Sequence, residues 1–265
     1  MESKNYAYSV MTCNVLTDAN TRHGSKRFVN RSKSLRTLIL KYMPDLIGMQ
    51  ELRGEMIPHL DGLMKDYEIV GEPRSLHPGD ERCSILFRKD HFDLLSTETL
   101  WLSPTPSVPG SRFITALFPR IVTFAYLKDK RTGETFTFAN THLEHANPVV
   151  RHLQARILID LLYQKKQGSF LFLTGDFNST SDSSALKLFR FTNLRDVIGE
   201  DLGTTLRNPA VALIFRNKAI DHIFIPKEFE LCDIVKIEEE PNGLAHSDHY
   251  PVIAYVGRPD GKPAA

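Results

Sequence analysis

The chain has 265 residues, enough for one large domain or two small ones, and its 42% apolar and 25% charged residues are ordinary for a soluble globular protein. Lys and Arg number 33 against 32 Asp and Glu, so the formal charge of +1 lacks the basic footprint of a dedicated duplex-DNA binder. Three scattered cysteines argue against a disulfide framework and against a cysteine-based zinc site.

The first part of the chain alternates strand-like and helix-like segments. Strands are predicted at residues 6–16, 45–52, 67–71, 83–88 and 92–102. Apolar residues recur at helical spacing in two of the intervening segments, first at Leu35, Leu38, Ile39 and Tyr42, and then at Ile57, Leu60, Leu63 and Met64. Pro44 marks the end of the first helix.

An irregular segment follows at residues 103–120. Four prolines and a glycine, Pro104, Pro106, Pro109, Gly110 and Pro119, prevent a regular element there. A long loop in a compact domain is usually functional or disordered. Because this one also carries aromatic and apolar residues, we expect an ordered loop that packs near a site.

The second part of the chain begins with a hairpin, predicted from strands at 121–128 and 135–143 with Gly133 at the turn. Asn147 and Pro148 predict a helix start, and that helix continues to about Gln167. A strand at 170–174 and a short helix at 184–189 follow. The last strands are predicted at 219–225, 231–237 and 252–256.

Hairpins beside helices, without a linker or a break in composition, predict one α/β domain with mixed or antiparallel sheets. We assign residues 1–257 to that domain and expect 258–265 to form a frayed tail.

Polar residues recur where the apolar strands end or begin. They are Asn14, Gln50-Glu51, Asn140-Thr141-His142, Asp176, Asn178, Asp221-His222 and Ser247-Asp248-His249. Active-site groups are often carried on strand ends and the adjoining loops. Taken singly, each has an ordinary interpretation as a solvated strand end, a structural histidine or a turn residue. Six such placements in one chain favour a shared site instead.

The residue types also indicate a metal. Glu51, Asp176, Asp221 and Asp248 are candidate carboxylates, and Asn14 and Asn178 add amide groups. Hard oxygen ligands suit Mg²⁺ or Mn²⁺, and Mg²⁺ usually takes only one or two protein carboxylates. The other carboxylates are then free for proton transfer. His142 and His249 are placed to face a phosphate.

The ordered set of motifs resembles the endonuclease/exonuclease/phosphatase superfamily, which includes DNase I. The matching segments are TCNVL at 12–16, MQE at 49–51, NTHL at 140–143, GDFN at 175–178, IDHI at 220–223 and SDHYPV at 247–252. The resemblance implies a DNase I-like fold, a four-layered α/β sandwich of two mixed, mostly antiparallel β-sheets flanked by helices.

The resemblance also implies roles for individual residues. Asn14, Glu51 and Asp248 match the metal environment of the family. The matches to catalytic groups are His142 as a phosphate or leaving-group ligand, Asp176 as the carboxylate that orients or deprotonates water, Asn178 as an amide ligand of phosphate or water, and His249 with its orienting carboxylate Asp221. Either Asp176 or the His249–Asp221 pair is a reasonable general base.

A finer resemblance to a bacterial branch of the superfamily, whose substrates are mostly unassigned, adds a pocket wall. There we expect Glu81, Arg120 and His145 to contact substrate, and Arg151 is a further candidate for an anionic group. For each, the alternative is a surface ion pair or a packed loop residue. The apolar segment 211–215 departs from the polar, glycine-containing stretch of relatives, so the wall facing the substrate is expected to differ.

These observations predict an Mg²⁺-dependent hydrolase of phosphate esters, of the phosphodiesterase or nuclease type, in which Mn²⁺ substitutes for Mg²⁺. The alternatives are a phosphomonoesterase acting on a small phosphorylated metabolite and a non-catalytic binding protein that retains the fold. Nucleic acid, a nucleotide-like small molecule and a phospholipid head group all remain open as the substrate. Without an apolar secretory segment or a bilayer-spanning stretch, we expect a cytoplasmic monomer with no membrane partner.

Overall fold

The computed structural model describes residues 6–18, 24 and 27–258. The predicted tail at 258–265 therefore lies, from residue 259 onward, outside the described residues. The chain forms two six-stranded sheets with helices on their outer faces, as the sequence predicted.

The first sheet has the strand order β11-β12-β1-β2-β4-β3. Its strands are β1 (Tyr8–Asn14), β2 (Leu46–Leu52), β3 (Tyr67–Val70), β4 (Arg82–Arg88), β11 (Glu230–Lys236) and β12 (Val252–Gly257). The pair β1 and β2 is parallel, and the other pairs are antiparallel. Helix α1 (Phe28–Tyr42) and a 3₁₀ helix (Gly54–Leu63) pack on its outer face through apolar side chains such as Leu38 and Leu60.

The second sheet has the order β5-β6-β7-β8-β10-β9. Its strands are β5 (Phe92–Trp101), β6 (Ile121–Asp129), β7 (Thr135–His142), β8 (Leu171–Asp176), β9 (Leu194–Asp196) and β10 (Asp221–Pro226). Here β7 and β8 form the parallel pair. Helix α2 (Pro148–Lys165) covers the outer face and begins at Asn147, whose side chain accepts from Val149 N and Val150 N, as predicted.

The remaining elements are short. Helix α3 spans Pro209–Ile214, and 3₁₀ turns span Leu186–Phe191, Glu200–Leu202 and Pro241–Gly243. The segment predicted as a helix at 57–64 is a 3₁₀ helix that contains Pro58, which cannot donate the hydrogen bond an α-helix needs. Among the described residues, none of the helices combines the length and apolarity needed to cross a membrane.

The inner faces of the two sheets meet in an apolar core rich in aromatic rings, including Phe136, Phe138 and Phe172. Burial of such side chains is worth roughly 25 cal/mol per Å² of apolar surface, so this interface holds the sheets in a fixed relative position. The strand ends at the edge of the sandwich are therefore held rigidly, and that edge carries the site.

Candidate active site

The parallel strand pairs of the two sheets place the predicted residues at one edge. Asn14 is the last residue of β1, and Glu51 lies near the end of β2. In the second sheet His142 ends β7 and Asp176 ends β8, and Asp221 begins the antiparallel β10. The register pairs Asp176 directly with His142 on one side and with Asp221 on the other.

Asp176 is the centre of this arrangement. Its Oδ1 accepts from Asn178 N at 2.9 Å, and its Oδ2 accepts from Asn14 Nδ2 at 3.0 Å. The same Oδ2 lies 3.6 Å from His142 Nε2 and 3.9 Å from His249 Nε2. Burial and the neighbouring Asp221 carboxylate raise the pKa of Asp176 to about 7, although His249 lowers it.

Asn14 joins the two sheets at the site. Its Nδ2 donates to Glu51 Oε1 at 3.0 Å as well as to Asp176, while its Oδ1 accepts from Leu16 N at 2.9 Å. That backbone bond fixes the amide orientation, so Asn14 turns its N–H groups towards the carboxylates. The structure thus places Asn14 beside the predicted metal ligands, with its oxygen engaged elsewhere.

Glu51 has a left-handed backbone, with φ of 65°, which is uncommon for a residue with a side chain. Its Oε2 accepts from Thr17 N at 2.7 Å. Strained backbone of this kind clusters at functional sites, because the surrounding structure has to impose it. The strain and the hydrogen bonds together fix the direction of the carboxylate.

His249 and Asp221 form a buried pair, with Nδ1 and Oδ2 2.8 Å apart. Since a carboxylate accepts, Nδ1 carries a proton and Nε2 faces the pocket. Burial alone would lower the pKa of His249, but Asp221 raises it well above its ordinary value. Asp221 Oδ1 is also buried and has no hydrogen-bond partner among the described residues.

His142 is held as a neutral ring. Asn178 Nδ2 donates to Leu143 O at 3.1 Å, so this end of the amide carries the hydrogen atoms. The same Nδ2 lies 3.0 Å from His142 Nε2. His142 Nε2 therefore accepts that bond. Burial, followed by the charges of Arg120 and Arg74, holds the pKa of His142 well below its ordinary value.

Within the part of the chain that the structure describes, two groups of side chains have the spacing of a metal site. The ligand atoms of Glu51, His142 and Asp176 lie within 4.8 Å of one another, and so do those of Asp176, Asp221 and His249. Neither group contains Asp248, whose side chain is exposed. Glu51 and Asp176 offer the hard oxygen atoms that Mg²⁺ prefers, and Asp221, grouped with Asp176, has a buried oxygen without a hydrogen-bond partner among the described residues. The donor set therefore fits a divalent cation.

A pocket of about 610 Å³ opens in front of these residues. Its lining includes all three predicted wall residues, Glu81, Arg120 and His145. Arg151 is not part of that lining, because its guanidinium donates to the backbone oxygens of Glu144 and His145 and supports the loop from behind.

Five residues of the lining were not among the predicted site residues, namely Thr17, Arg53, Arg74, Asp80 and Phe118. Arg74 pairs with Glu81 through Nη1 and Oε2 at 2.6 Å, and its guanidinium stacks over the Phe118 ring at 4.5 Å. No motif marks Arg74, since it lies in a loop. The prediction that segment 103–120 packs near a site does, however, apply to Phe118.

Comparisons with known proteins agree with this geometry. A model of the Endonuclease/Exonuclease/phosphatase family matches residues 11–249. The Protein angel of Drosophila melanogaster is 28% identical over 164 residues, which are 59% of this chain and 45% of that protein. The chain thus spans less than half the length of this relative.

Two solved structures share the fold. An endonuclease/exonuclease/phosphatase from Bacteroides vulgatus is 25% identical, with a TM-score of 0.83 over 95% of this chain and 98% of that one. A mannosyl-6-phosphatase of Bacteroides thetaiotaomicron is 24% identical, with a TM-score of 0.79 over 94% and 99% of the two chains. The predicted fold and superfamily are confirmed.

Proposed function

This chain belongs to the endonuclease/exonuclease/phosphatase family, and on that premise we propose that it is an Mg²⁺-dependent hydrolase of phosphate esters that acts by in-line attack of water on phosphorus. The observation that carries the proposal is the position of Asp176 Oδ2, which lies next to Asn14, His142 and His249 in one buried constellation. Such a cluster of perturbed groups at a pocket is typical of a catalytic centre.

The residue that would hold the cation is Glu51, and Asn14 orients both its carboxylate and that of Asp176. When bound, Mg²⁺ or Mn²⁺ would neutralise charge on the phosphate and polarise the phosphorus–oxygen bonds. Asp248 is exposed, its charge acts on His249, and the metal role that its motif implies stays a prediction.

The proposed path of the proton begins at Asp176. Its Oδ2 orients the attacking water and accepts a proton from it, since a buried carboxylate with a raised pKa is a better base than an exposed one. His249 is held by Asp221 so that its Nε2 faces the phosphate, where it stabilises the charge that develops during the reaction.

Asn178 and His142 form the opposite side of the proposed phosphate site. Asn178 is held by three bonds, from its own N to Asp176 and from Nδ2 to Leu143 O and His142 Nε2. His142 thus acts on the phosphate through the amide that it positions. Preorganised donors of this kind stabilise a transition state without reorganisation.

The proposal is tested by hydrolysis of a panel of esters with and without Mg²⁺ or Mn²⁺. The panel contains bis-p-nitrophenyl phosphate, p-nitrophenyl phosphate, single-stranded and double-stranded oligonucleotides and a phospholipid. We expect metal-dependent turnover that His249→Gln lowers about 1000-fold. His77→Gln is the matched control, because His77 is exposed and lies outside the pocket lining.

The alternative of a non-catalytic binding protein predicts a different result. The folded protein would then bind Mg²⁺ yet turn over none of the esters, and His249→Gln would change nothing measurable. That outcome would overturn the proposed function.

A further inference from the structure

Arg120 is the most unusual residue of the pocket wall that the proposed mechanism leaves unused. Its side chain is only 4% exposed, and its Nε has no hydrogen-bond partner among the described residues. Among the described residues, no carboxylate oxygen lies within 4.0 Å of the guanidinium nitrogens of Arg120. A buried guanidinium without a close counter-ion costs several kcal/mol, so its retention at a pocket indicates an anionic ligand.

Arg120 is also rigidly placed. It directly precedes β6, and its backbone oxygen accepts from Leu102 N at 2.8 Å. Its Nη2 lies 3.0 Å from His145 Nδ1. Since arginine only donates, His145 Nδ1 accepts, and a neutral His145 then carries its proton on Nε2. Arg120 and His145 together present donors to the pocket.

The second guanidinium of the wall, Arg74, is already engaged. It pairs with Glu81, and its Nε lies 3.2 Å from Asp80 Oδ1. The Phe118 ring contacts both neighbours. The Arg74 guanidinium lies over it, and the centroids of the Phe118 and His145 rings are 6.3 Å apart in a stacked arrangement. Arg74, Phe118 and His145 therefore lie next to one another in the wall. Arg120 is influenced by the charges of Glu144, Glu81 and Asp176 but forms a close ion pair with none of them.

A small recess lies between Arg120 and the catalytic centre. Its volume is about 10 Å³, and its lining includes Glu51, Arg120 and His142, which also line the large pocket. About 10–15 Å³ is the least space that holds one water-sized group. The recess thus has room for a group about the size of one phosphate oxygen.

We infer that the substrate is a phosphomonoester, whose terminal phosphate places a non-bridging oxygen in this recess against Arg120. The inference rests on the proposed function and selects one of its substrate classes. A monoester dianion has one more negative charge than a diester. The Arg120 guanidinium, which has no close carboxylate, would pair with that charge. A diester could place a non-bridging oxygen there too, but it would bring one negative charge fewer to the guanidinium.

The reaction then has a definite balance. The oxygen of water forms a new bond to phosphorus, and the bond from phosphorus to the ester oxygen breaks. The electron pair of that bond and one proton of the water leave with the alcohol. The other proton stays with inorganic phosphate, which is the second product.

The test compares two esters with the same leaving group, p-nitrophenyl phosphate and methyl p-nitrophenyl phosphate, in Mg²⁺. We expect Arg120→Met to lower kcat/KM about 100-fold for the monoester and less than about fivefold for the diester. Arg156→Met, on the exposed face of α2, is the control for loss of one positive charge. Inorganic phosphate should inhibit the wild type competitively, and Arg120→Lys should weaken that inhibition at least about tenfold.

Other outcomes separate this inference from the proposed function. Equal losses for both esters, or unchanged inhibition by phosphate in Arg120→Lys, would overturn the monoester inference and would assign Arg120 a structural role, as a partner of the buried Glu144. A wild type that hydrolyses the diester faster than the monoester would overturn it as well, while leaving the hydrolase intact. Turnover of neither ester would contradict both proposals.

Discussion

At the scale of single residues, the site depends on one amide between two carboxylates. Asn14 Nδ2 donates to Glu51 and Asp176, and both acceptors would otherwise repel each other. Because Asn14 is buried and its Oδ1 is bonded to Leu16 N, the side chain has no second orientation that satisfies all three partners. Its contribution is to hold the carboxylates together.

Asn14→Asp distinguishes this role from direct metal ligation. The variant keeps an oxygen at the site and loses the N–H donors, so a third carboxylate faces Glu51 and Asp176. We expect unfolding free energy to fall by about 1–3 kcal/mol without Mg²⁺, and activity to fall about 100-fold with it. Chemical denaturation and steady-state kinetics measure the two effects.

The control is Asn193→Asp, an exposed position outside the site, which should change neither quantity. Full activity in Asn14→Asp would show that Asn14 serves as an oxygen ligand.

The sequence predicted residues that the structure brings together, but the orientation of each side chain depends on contacts that only the folded chain shows. Asn14 was expected to ligate the metal, and the orientation of its amide depends on Leu16 N, a backbone contact that no motif records. Asp248 was placed in the metal environment on its motif alone, and its exposure depends on how the loop before β12 turns. Arg74 lacked any signal, since it reaches the pocket from a loop.

At the scale of secondary-structure elements, a buried polar residue fastens the two sheets near the site. Asn140 on β7 donates to Met49 O and Ser84 O of the first sheet, each at 2.8 Å. Its Oδ1 accepts from Gln50 Nε2 at 2.7 Å and from Thr174 Oγ1 at 3.1 Å. The Asn140 side chain thus has four buried hydrogen bonds, three of them to the first sheet, and they help to fix the register between the sheets.

Gly48 of β2 lies against this network. A Cβ there would be 2.0 Å from Thr174 Oγ1 and 2.6 Å from Asn140 Oδ1. Gly48→Ala should therefore lower the free energy of unfolding by about 3 kcal/mol, measured by chemical denaturation. Gly199→Ala is the control, because its Cβ meets nothing within 4 Å, and it should change stability by less than about 1 kcal/mol. An equal effect of both variants would contradict the tight packing at Gly48.

Elements with clear periodicity were predicted and the shortest ones were not. Strand β9 has three residues, too few for an alternating pattern to show. Helix α3 begins at Asn208, whose side chain accepts from Ala210 N and Val211 N, and Pro209 follows in the first turn. The same Asn-Pro signal predicted the start of α2. For α3 no helix was predicted, because the apolar segment 211–215 was interpreted as part of the wall facing the substrate.

At the scale of the whole molecule, Asp129 takes part in an ion pair far from the site and also bonds to the other sheet. Asp129 Oδ2 of β6 lies 3.0 Å from Arg131 Nη2, and Asp129 also bonds to Tyr8 of the other sheet. Burial alone would raise the pKa of Asp129, but the hydrogen bonds from Arg131 lower it below its ordinary value.

A pKa that is lower in the folded state adds stability above the unfolded value of about 4, and this stability is lost as the pH falls through the folded value. We therefore expect the unfolding free energy of the wild type to fall more steeply below about pH 4 than that of Asp129→Asn. Denaturation between acidic and neutral pH measures both slopes. Parallel slopes would show that Asp129 does not titrate differently in the folded chain.

The spatial convergence of the motifs is a property of the whole fold. Asn14 and Asp176 are 162 positions apart in the sequence and within hydrogen-bond distance in space. Apolar periodicity predicted the strands that carry them, but their approach depends on the pairing of two sheets through an apolar core. The pairing of the sheets was predicted from the family resemblance. The recess at Arg120 could not be predicted, because it depends on the conformation of the loops.

The most direct test of the site is the Mg²⁺ dependence of phosphate-ester hydrolysis in Asp176→Asn, with Asp160→Asn on the exposed face of α2 as the matched control. A catalytic centre at Asp176 predicts that the wild type and Asp160→Asn show the same metal-dependent kcat. It also predicts that Asp176→Asn, folded and with an unchanged melting temperature, loses about 1000-fold in kcat. Metal-dependent turnover in Asp176→Asn at the wild-type rate would contradict that centre.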